Sequence, residues 1–143
     1  MIAYLDSSVL LRLVLGQADK LDEFPQIRTG IGSSLVAVEC LRTLDRLRLH
    51  RTLSDDELAT RREAVFRLIR SMYVVEPTAA VLARAAQPLP TTLGTLDAIH
   101  LSTALLWSDR MTEEMVMATH DHALATAARA SGLLVLGVPE RTT

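Results

Sequence analysis

The sequence has little cysteine and few aromatic residues. Cys40 is the single cysteine in 143 residues, so an intramolecular disulfide and a cysteine-based zinc site are both excluded. Because Cys40 falls within a helical pattern of apolar residues, we expect it to fill the core. Phe, Tyr and Trp together make up only 3% of the residues. This composition counts against modules that bind single strands by stacking bases on aromatic rings.

Long hydrophobic runs and an excess of positive charge are also missing. No apolar run approaches the roughly 18 residues that a membrane span requires. The N-terminus lacks the basic flank and the cleavage site of a signal peptide, and we therefore expect a cytoplasmic protein without membrane contacts. The net charge is −2 and the pI about 6.1, so no global positive field attracts nucleic acid.

Lysine is nearly absent as well, since Lys20 is the one lysine among 15 Lys and Arg residues. Many of the arginines lie in two stretches, Arg42 to Arg51 and Arg61 to Arg70, where they alternate with acids. Such alternation is typical of solvated helix faces, which we favour over a strip that binds phosphates.

What the sequence does have is a regular alternation of short apolar runs and helical patterns. Four runs are predicted strands, namely "IAYL", "MYVVE", "MVMATH" and "LLVLGV", and "TGIGSS" is either a strand or a loop. Helices are predicted in Ser8 to Leu15, "SLVAVECLRTLDRLRLH", "SDDELATRREAVFRLIRS", Thr78 to Ala86, "LDAIHLSTALLW" and "DHALATAARAS". Ser54 and Glu57 form a predicted capping box, and Thr95 is a predicted cap.

Apolar strands separated by helices indicate a parallel sheet covered on both faces. We therefore predict an α/β fold, a three-layer α/β/α sandwich with a central parallel sheet of four to five strands, in one domain over residues 1–143. In such open sheets the reactive site lies beyond the carboxyl ends of the strands.

Four carboxylates are predicted at that edge. Asp6 follows the first strand in "MIAYLDSSVLLRLVLG", and Asp121 follows the strand "MVMAT". Asp97 is in the first turn of the helix after the Pro-rich loop, and Glu39 lies about one turn into the helix that begins at Ser34. These acids from four segments can converge in one cleft.

Each acid also has a purely structural interpretation. Asp6 and Asp121 can be N-caps, and Asp97 can be a first-turn acid favoured by the helix dipole. Glu39 can pair with Arg42 or face water.

A cluster of four carboxylates would be strained by mutual repulsion unless a cation compensates it. Oxygen-only ligands select Mg²⁺ or Mn²⁺ over zinc or copper. Such a cation acidifies a bound water for in-line attack on a phosphodiester and offsets the charge that grows on phosphate oxygens. The residues thus predict metal-dependent phosphodiester hydrolysis.

The segments "YLDSSVLLR", "SSLVAVECLR", "LDAIHLSTAL" and "MATHDHAL" resemble the four acidic motifs of PIN-domain nucleases, particularly the VapC toxins of bacterial toxin–antitoxin pairs. The resemblance covers essentially the whole chain. It implies a Mg²⁺-dependent endoribonuclease, with Mn²⁺ able to substitute, that is usually a homodimer and is silenced by a VapB-type antitoxin.

By the matching motifs, the resemblance makes Asp6 and Asp97 the central metal ligands, with Glu39 and Asp121 completing the acidic pocket. Ser7 or Ser8 would fill the hydroxyl position of the family. The region between Glu39 and Asp97 carries no motif. A non-catalytic PIN-like scaffold and a PIN nuclease outside toxin–antitoxin systems stay open as alternatives.

The histidines and three rival functions carry less weight. His100, three residues after Asp97, is expected to be packed or hydrogen-bonded rather than a ligand. His120 and His122 flank Asp121 without a third zinc ligand, and His50 is expected to close a helix.

The chain lacks the G-x-S-x-G elbow of a serine hydrolase, and "GIGSS" is too short for a phosphate loop. A phospho-receiver would need an acidic pair after the first strand and a lysine after the last strand. Here Asp6 is alone, and the one lysine is Lys20.

Overall fold

The structure, a computed structural model, describes residues 1–140. Five parallel strands form the central sheet. They are β1 (Ile2–Leu5), β2 (Thr29–Ser33), β3 (Tyr73–Val75), β4 (Met115–Ala118) and β5 (Leu134–Leu136). Their order across the sheet is β3-β2-β1-β4-β5, with β1 in the centre. The predicted parallel sheet is confirmed, at the upper end of the predicted strand number.

The helices connect consecutive strands and cover both faces of the sheet. They are α1 (Ser7–Val14), α2 (Leu35–Leu49), α3 (Asp55–Arg70), α4 (Ala79–Ala85), α5 (Thr95–Ser108) and α6 (His122–Ala130), with one short 3-10 turn at Phe24–Gln26. Each predicted helix is present within one or two residues. Among residues 1–140, no helix is long and apolar enough to cross a membrane.

The two faces of the sheet bury two separate apolar clusters. Alternation along β1 sends Ala3 and Leu5 to one face and Ile2 and Tyr4 to the other. The first face packs on α1, α2 and α3. The second packs on α5 and α6. Because both faces are buried, the central strands are continuously apolar, and the predicted three-layer α/β/α sandwich is confirmed.

The segment "TGIGSS", which the sequence left between strand and loop, is strand β2. It pairs with β1 on one side and β3 on the other. A Cβ at Gly30 would lie 2.7 Å from Leu5 Cδ1, and one at Gly32 would lie 2.7 Å from Met72 Cε. The glycines thus let side chains of neighbouring elements pack directly over the strand, although glycine weakens the sequence signal for a strand.

Helix starts follow the predicted chemistry with two exceptions. The capping box of Ser54 and Glu57 is present at the start of α3. Gly94, rather than Thr95, is the N-cap of α5, and Thr95 is the first helical residue. At α2 the Ser34 hydroxyl donates to Glu76 instead of capping the helix, whereas Leu35 N donates to the Ser33 hydroxyl.

Two further expectations concern packing and charge. Cys40 is fully buried in the first apolar cluster, as predicted. On the arginine-rich helices, Arg48 pairs with Asp45, Arg62 lies over the ring of Phe66, and Arg61 donates to the Val14 carbonyl. Arg48 and Arg62 therefore contact residues of their own helices, and Arg61 contacts the end of α1.

Candidate active site

Asp6 lies where the central strand gives way to α1. Its backbone N–H donates to the Ala118 carbonyl, which extends the pairing of β1 with β4 by one residue. Its carboxylate is 4% exposed, and Oδ2 accepts hydrogen bonds from Ser8 N at 3.3 Å and from the Ser8 hydroxyl at 2.5 Å. Asp6 is therefore the N-cap of α1. Within residues 1–140, Oδ1 has no protein partner.

Thr119 is a member of this site that the sequence did not predict. It follows β4 directly, is fully buried, and its hydroxyl donates to Asp6 Oδ2 at 2.9 Å. The Thr119 hydroxyl oxygen in turn accepts from Asp121 N at 3.0 Å. At Gly137, where φ is +94°, a Cβ would overlap the Thr119 carbonyl oxygen, so the end of β5 lies directly against this turn. Thr119 thus joins two of the predicted acids.

Replacing Thr119 with valine tests this junction. The side chain keeps its shape but leaves a buried carboxylate and the Asp121 N–H short of a partner, so we expect a loss of about 1 to 3 kcal/mol in the free energy of unfolding. Urea denaturation measures it. Thr126→Val is the matched control, because the exposed Thr126 hydroxyl bonds only its own helix. Equal losses in the two variants would contradict the role of Thr119.

Asp97 occupies the first turn of α5, as predicted, and is partly buried. Burial raises the pKa of its carboxyl to about 6, and the negative charges of Asp121, Asp6 and Glu39 act in the same direction. His100 opposes them. Hydrogen bonds connect the segments that carry the four acids: Thr119 bonds Asp6 and Asp121 N, whereas Glu39 bonds Ser7, beside Asp6, and His100, one turn beyond Asp97.

Asp121 is the N-cap of α6, and its Oδ1 accepts from Leu124 N at 2.8 Å. The residue is exposed, whereas Asp6 is buried. For both aspartates the cap interpretation is correct. It does not compete with a cluster, because a cap uses one carboxylate oxygen and leaves the other.

Glu39, in α2, does not pair with Arg42. Its Oε1 lies 2.5 Å from Nε2 of His100, and its Oε2 accepts from the Ser7 hydroxyl at 3.3 Å. Nδ1 of His100 lies 2.8 Å from the Tyr4 hydroxyl. Burial lowers the pKa of His100, but the hydrogen bond and charge of Glu39 outweigh it, and the net shift is upward. His100 is thus hydrogen-bonded in the core, as predicted.

The remaining hydroxyls and histidines have local roles. The Ser8 hydroxyl bonds Asp6 and the backbone N–H of His120, and the Ser7 hydroxyl bonds Glu39. Each of the two candidate serines thus contacts one of the predicted acids. His120 lies 3.1 Å from the Gly137 carbonyl oxygen, and its pKa is lowered by burial and by Arg12. His50 closes α2, as expected.

The donors of this region are carboxylate oxygens with hydroxyls beside them, the set that suits a hard divalent cation. Across residues 1–140, no three His, Cys, Asp or Glu side chains are arranged closely enough to form a ready metal site. Magnesium keeps several waters and uses one or two carboxylates directly, so its binding does not require a closed cage. The residues fit such an ion by donor chemistry and by the charge around Asp97.

Comparison with solved structures identifies relatives of the fold. The chain is similar to a chain of a toxin–antitoxin complex from Klebsiella pneumoniae, with 13% identity and a TM-score of 0.64 over 91% of this chain and 94% of that chain. It is also similar to a chain of VapBC2 from Rickettsia felis bound to a DNA fragment from their promoter. There the identity is 13% and the TM-score 0.66, over 94% of this chain and 97% of that chain.

At such low identity these likenesses establish the fold alone. None of the curated proteins compared with the chain matches it. The family model of the PIN domain matches residues 3–130, which include most of the central strand β1 and all four predicted acids. Because this match spans most of the sequence, the chain belongs to the PIN-domain family.

Proposed function

We propose that this chain is a Mg²⁺-dependent endoribonuclease that acts as the toxin of a toxin–antitoxin pair. The observation that carries the proposal is that hydrogen bonds connect the four acidic segments at the carboxyl edge of the sheet, through Thr119 between Asp6 and Asp121 and through Glu39 between Ser7 and His100. Burial raises the pKa of Asp97 there, and the charges of the other three acids act in the same direction. Clusters of perturbed carboxylates are typical of functional sites, because folding alone gains nothing from their repulsion. PIN domains are generally nucleases, and the family match supports the same chemistry.

In this proposal Asp6 and Asp97 are the central ligands of Mg²⁺, and Glu39 and Asp121 complete the acidic pocket. Mn²⁺, which shares the preference for oxygen, is expected to substitute. The bound cation would supply an acidified water and charge stabilisation at a phosphodiester. Asp6 offers Oδ1, because Ser8 and Thr119 already hold Oδ2.

The chain itself contributes orientation and a local field. The N-termini of α1, α5 and α6 lie beside Asp6, Asp97 and Asp121, respectively. Each N-terminus carries partial positive charge, which favours a phosphate group, while the capping carboxylates already accept from Ser8 N and Leu124 N. A phosphodiester can therefore be held near the acids in a protein whose net charge is negative.

The partner and setting follow from the family resemblance. We propose a VapB-type antitoxin that silences the nuclease, a homodimer, and a cytoplasmic location where RNA is available. The similarity to chains of toxin–antitoxin complexes supports the antitoxin partner.

Purified protein incubated with RNA provides the test. We expect cleavage in Mg²⁺, none in EDTA, and recovery when Mg²⁺ or Mn²⁺ is added in excess, because the cation offsets the charge that develops on phosphate. Single-stranded DNA of the same sequence is the control for the sugar. A folded protein that cleaves no RNA with either metal would favour the non-catalytic scaffold, and cleavage without toxicity in cells would favour a nuclease outside toxin–antitoxin systems.

A further inference from the structure

Three side chains from distant parts of the chain form one continuous hydrogen-bonded line behind the acidic pocket. Tyr4 comes from β1, His100 from α5 and Glu39 from α2. Tyr4 and His100 are both 0% exposed, whereas the Glu39 side chain is 21% exposed. The line therefore runs from the core outward, and its outer end is one of the proposed metal ligands.

The chemistry of the partners sets the direction of each hydrogen bond. An ionised carboxylate only accepts, so Nε2 of His100 carries the hydrogen that it shares with Glu39 Oε1 at 2.5 Å. In the neutral imidazole Nδ1 is then unprotonated, and the Tyr4 hydroxyl, 2.8 Å away, donates to it. Burial raises the pKa of Tyr4, with the charge of Asp6 acting in the same direction, so the phenol keeps its proton. Every polar atom of a neutral imidazole is satisfied in this arrangement.

We propose that His100 is a positioning residue that holds Glu39 by Oε1, and that Tyr4 fixes the tautomer that lets it do so. This inference rests on the proposed function, in which Glu39 belongs to the metal pocket. With Oε1 held, Oε2 keeps only the 3.3 Å bond from the Ser7 hydroxyl and is the oxygen left for the cation. Groups that orient a ligating carboxylate stabilise metal binding without touching the metal.

His100 itself does not bind the metal in this arrangement. Both ring nitrogens are occupied, by Tyr4 and by Glu39, and neither has a lone pair free for a cation. The three-residue spacing places His100 on the same side of α5 as Asp97, but His100 is fully buried and Asp97 is only partly buried.

The test uses two amides of different length. In His100→Gln the amide nitrogen can reach Glu39, in place of Nε2. In His100→Asn the shorter amide can reach Tyr4 but not Glu39. We expect the affinity for Mn²⁺, measured by calorimetry, to fall by about 10- to 100-fold in His100→Asn. In His100→Gln it should stay within a few fold of wild type. Tyr4→Phe should weaken binding, because the tautomer of His100 is then no longer fixed. The loss should be smaller than in His100→Asn, because Nε2 can still reach Glu39.

Matched controls separate this role from general damage. His50→Asn changes the exposed histidine that closes α2, and Tyr73→Phe removes a hydroxyl from an exposed edge-strand tyrosine, so both should bind Mn²⁺ like wild type. Nitrogen-15 NMR of the wild-type protein, at a pH where the imidazole is neutral, reads the tautomer without any substitution and should show hydrogen on Nε2 and none on Nδ1. Tyr4→Phe should add a population of the other tautomer.

The outcomes distinguish the two proposals. Wild-type protein that binds no Mn²⁺ and cleaves no RNA would overturn the proposed function, and the role of His100 with it. Wild-type binding with an unchanged affinity in folded His100→Asn would overturn the positioning role alone. An NMR spectrum with hydrogen on Nδ1 and none on Nε2 would overturn it as well, whatever the variants do. If His100→Asn does not fold, Tyr4→Phe and the tautomer decide.

Discussion

Replacing Asp97 with asparagine is expected to lower the rate of RNA cleavage in Mg²⁺ by about 100- to 1000-fold, the usual loss when one preorganised charge-stabilising group is removed. The substitution keeps the size of the side chain but removes its charge. It also removes one negative charge from the set formed by Asp97, Asp121, Asp6 and Glu39. Steady-state cleavage rates at saturating Mg²⁺ measure the effect.

Asp109→Asn is the matched control for this loss. Asp109 is the C-cap of the same helix, is exposed, and pairs with Arg84 at 2.9 Å, so an equal change in charge occurs far from the sheet edge. We expect cleavage like that of wild type. Expressed without an antitoxin, wild type and Asp109→Asn should arrest growth, whereas Asp97→Asn should be tolerated at an equal soluble level. Equal cleavage by the two variants would contradict the assignment of Asp97.

The second large effect concerns the stability of the metal-free protein. The pKa of Asp97 is about 6 in the folded state against an ordinary value of 3.8. Between these values the folded state holds a proton that the unfolded chain has released, so the contribution of Asp97 to stability falls as the pH rises from about 4 to about 6. Above pH 6 its cost is complete. Because the site is partly solvated, we expect Asp97→Asn to be more stable than wild type there by about 1 to 2 kcal/mol.

Denaturant titrations in EDTA at several pH values measure this difference. The advantage of Asp97→Asn should disappear below about pH 4, where wild-type Asp97 is neutral in both states. Excess Mg²⁺ at neutral pH should stabilise wild type by RT ln(1 + [L]/Kd) and the variant less. An advantage that is constant across the pH range would contradict the raised pKa of Asp97. A Mg²⁺ effect equal in both proteins would contradict its role as a ligand. Asp109→Asn should show neither trend.

Asp6 is a poorer choice for such a measurement, although it is the most buried of the four acids. Its Oδ2 accepts from Ser8 twice and from Thr119, so an asparagine there would change hydrogen bonds as well as charge. The same contacts explain how the Asp6 carboxylate can lie between the two apolar runs of the sequence. It is tolerated because the start of α1 and the turn after β4 supply its donors.

The sequence by itself determined the elements whose partners lie within one turn of the chain. Alternating apolar runs and helical patterns predicted the strands and helices, and short-range chemistry predicted the capping box of Ser54 and Glu57. The rule that sites lie beyond the carboxyl ends of parallel strands then predicted Asp6, Asp97, Asp121 and Glu39 at one edge. Such features are readable because a cap or an apolar face requires a given residue type at a fixed spacing.

Only the tertiary structure decided which distant groups meet. Thr119 bonds Asp6 from 113 residues away, and His100 bonds Glu39 and Tyr4 from 61 and 96 residues away. It also decided that the glycine-rich "TGIGSS" is a strand, because β1 and β3 pair with it from both sides. These outcomes depend on strand order and on which way each side chain faces. A local pattern carries neither, since the same residues at the same spacings would serve equally as caps, core fillers or ligands in another arrangement of the sheet.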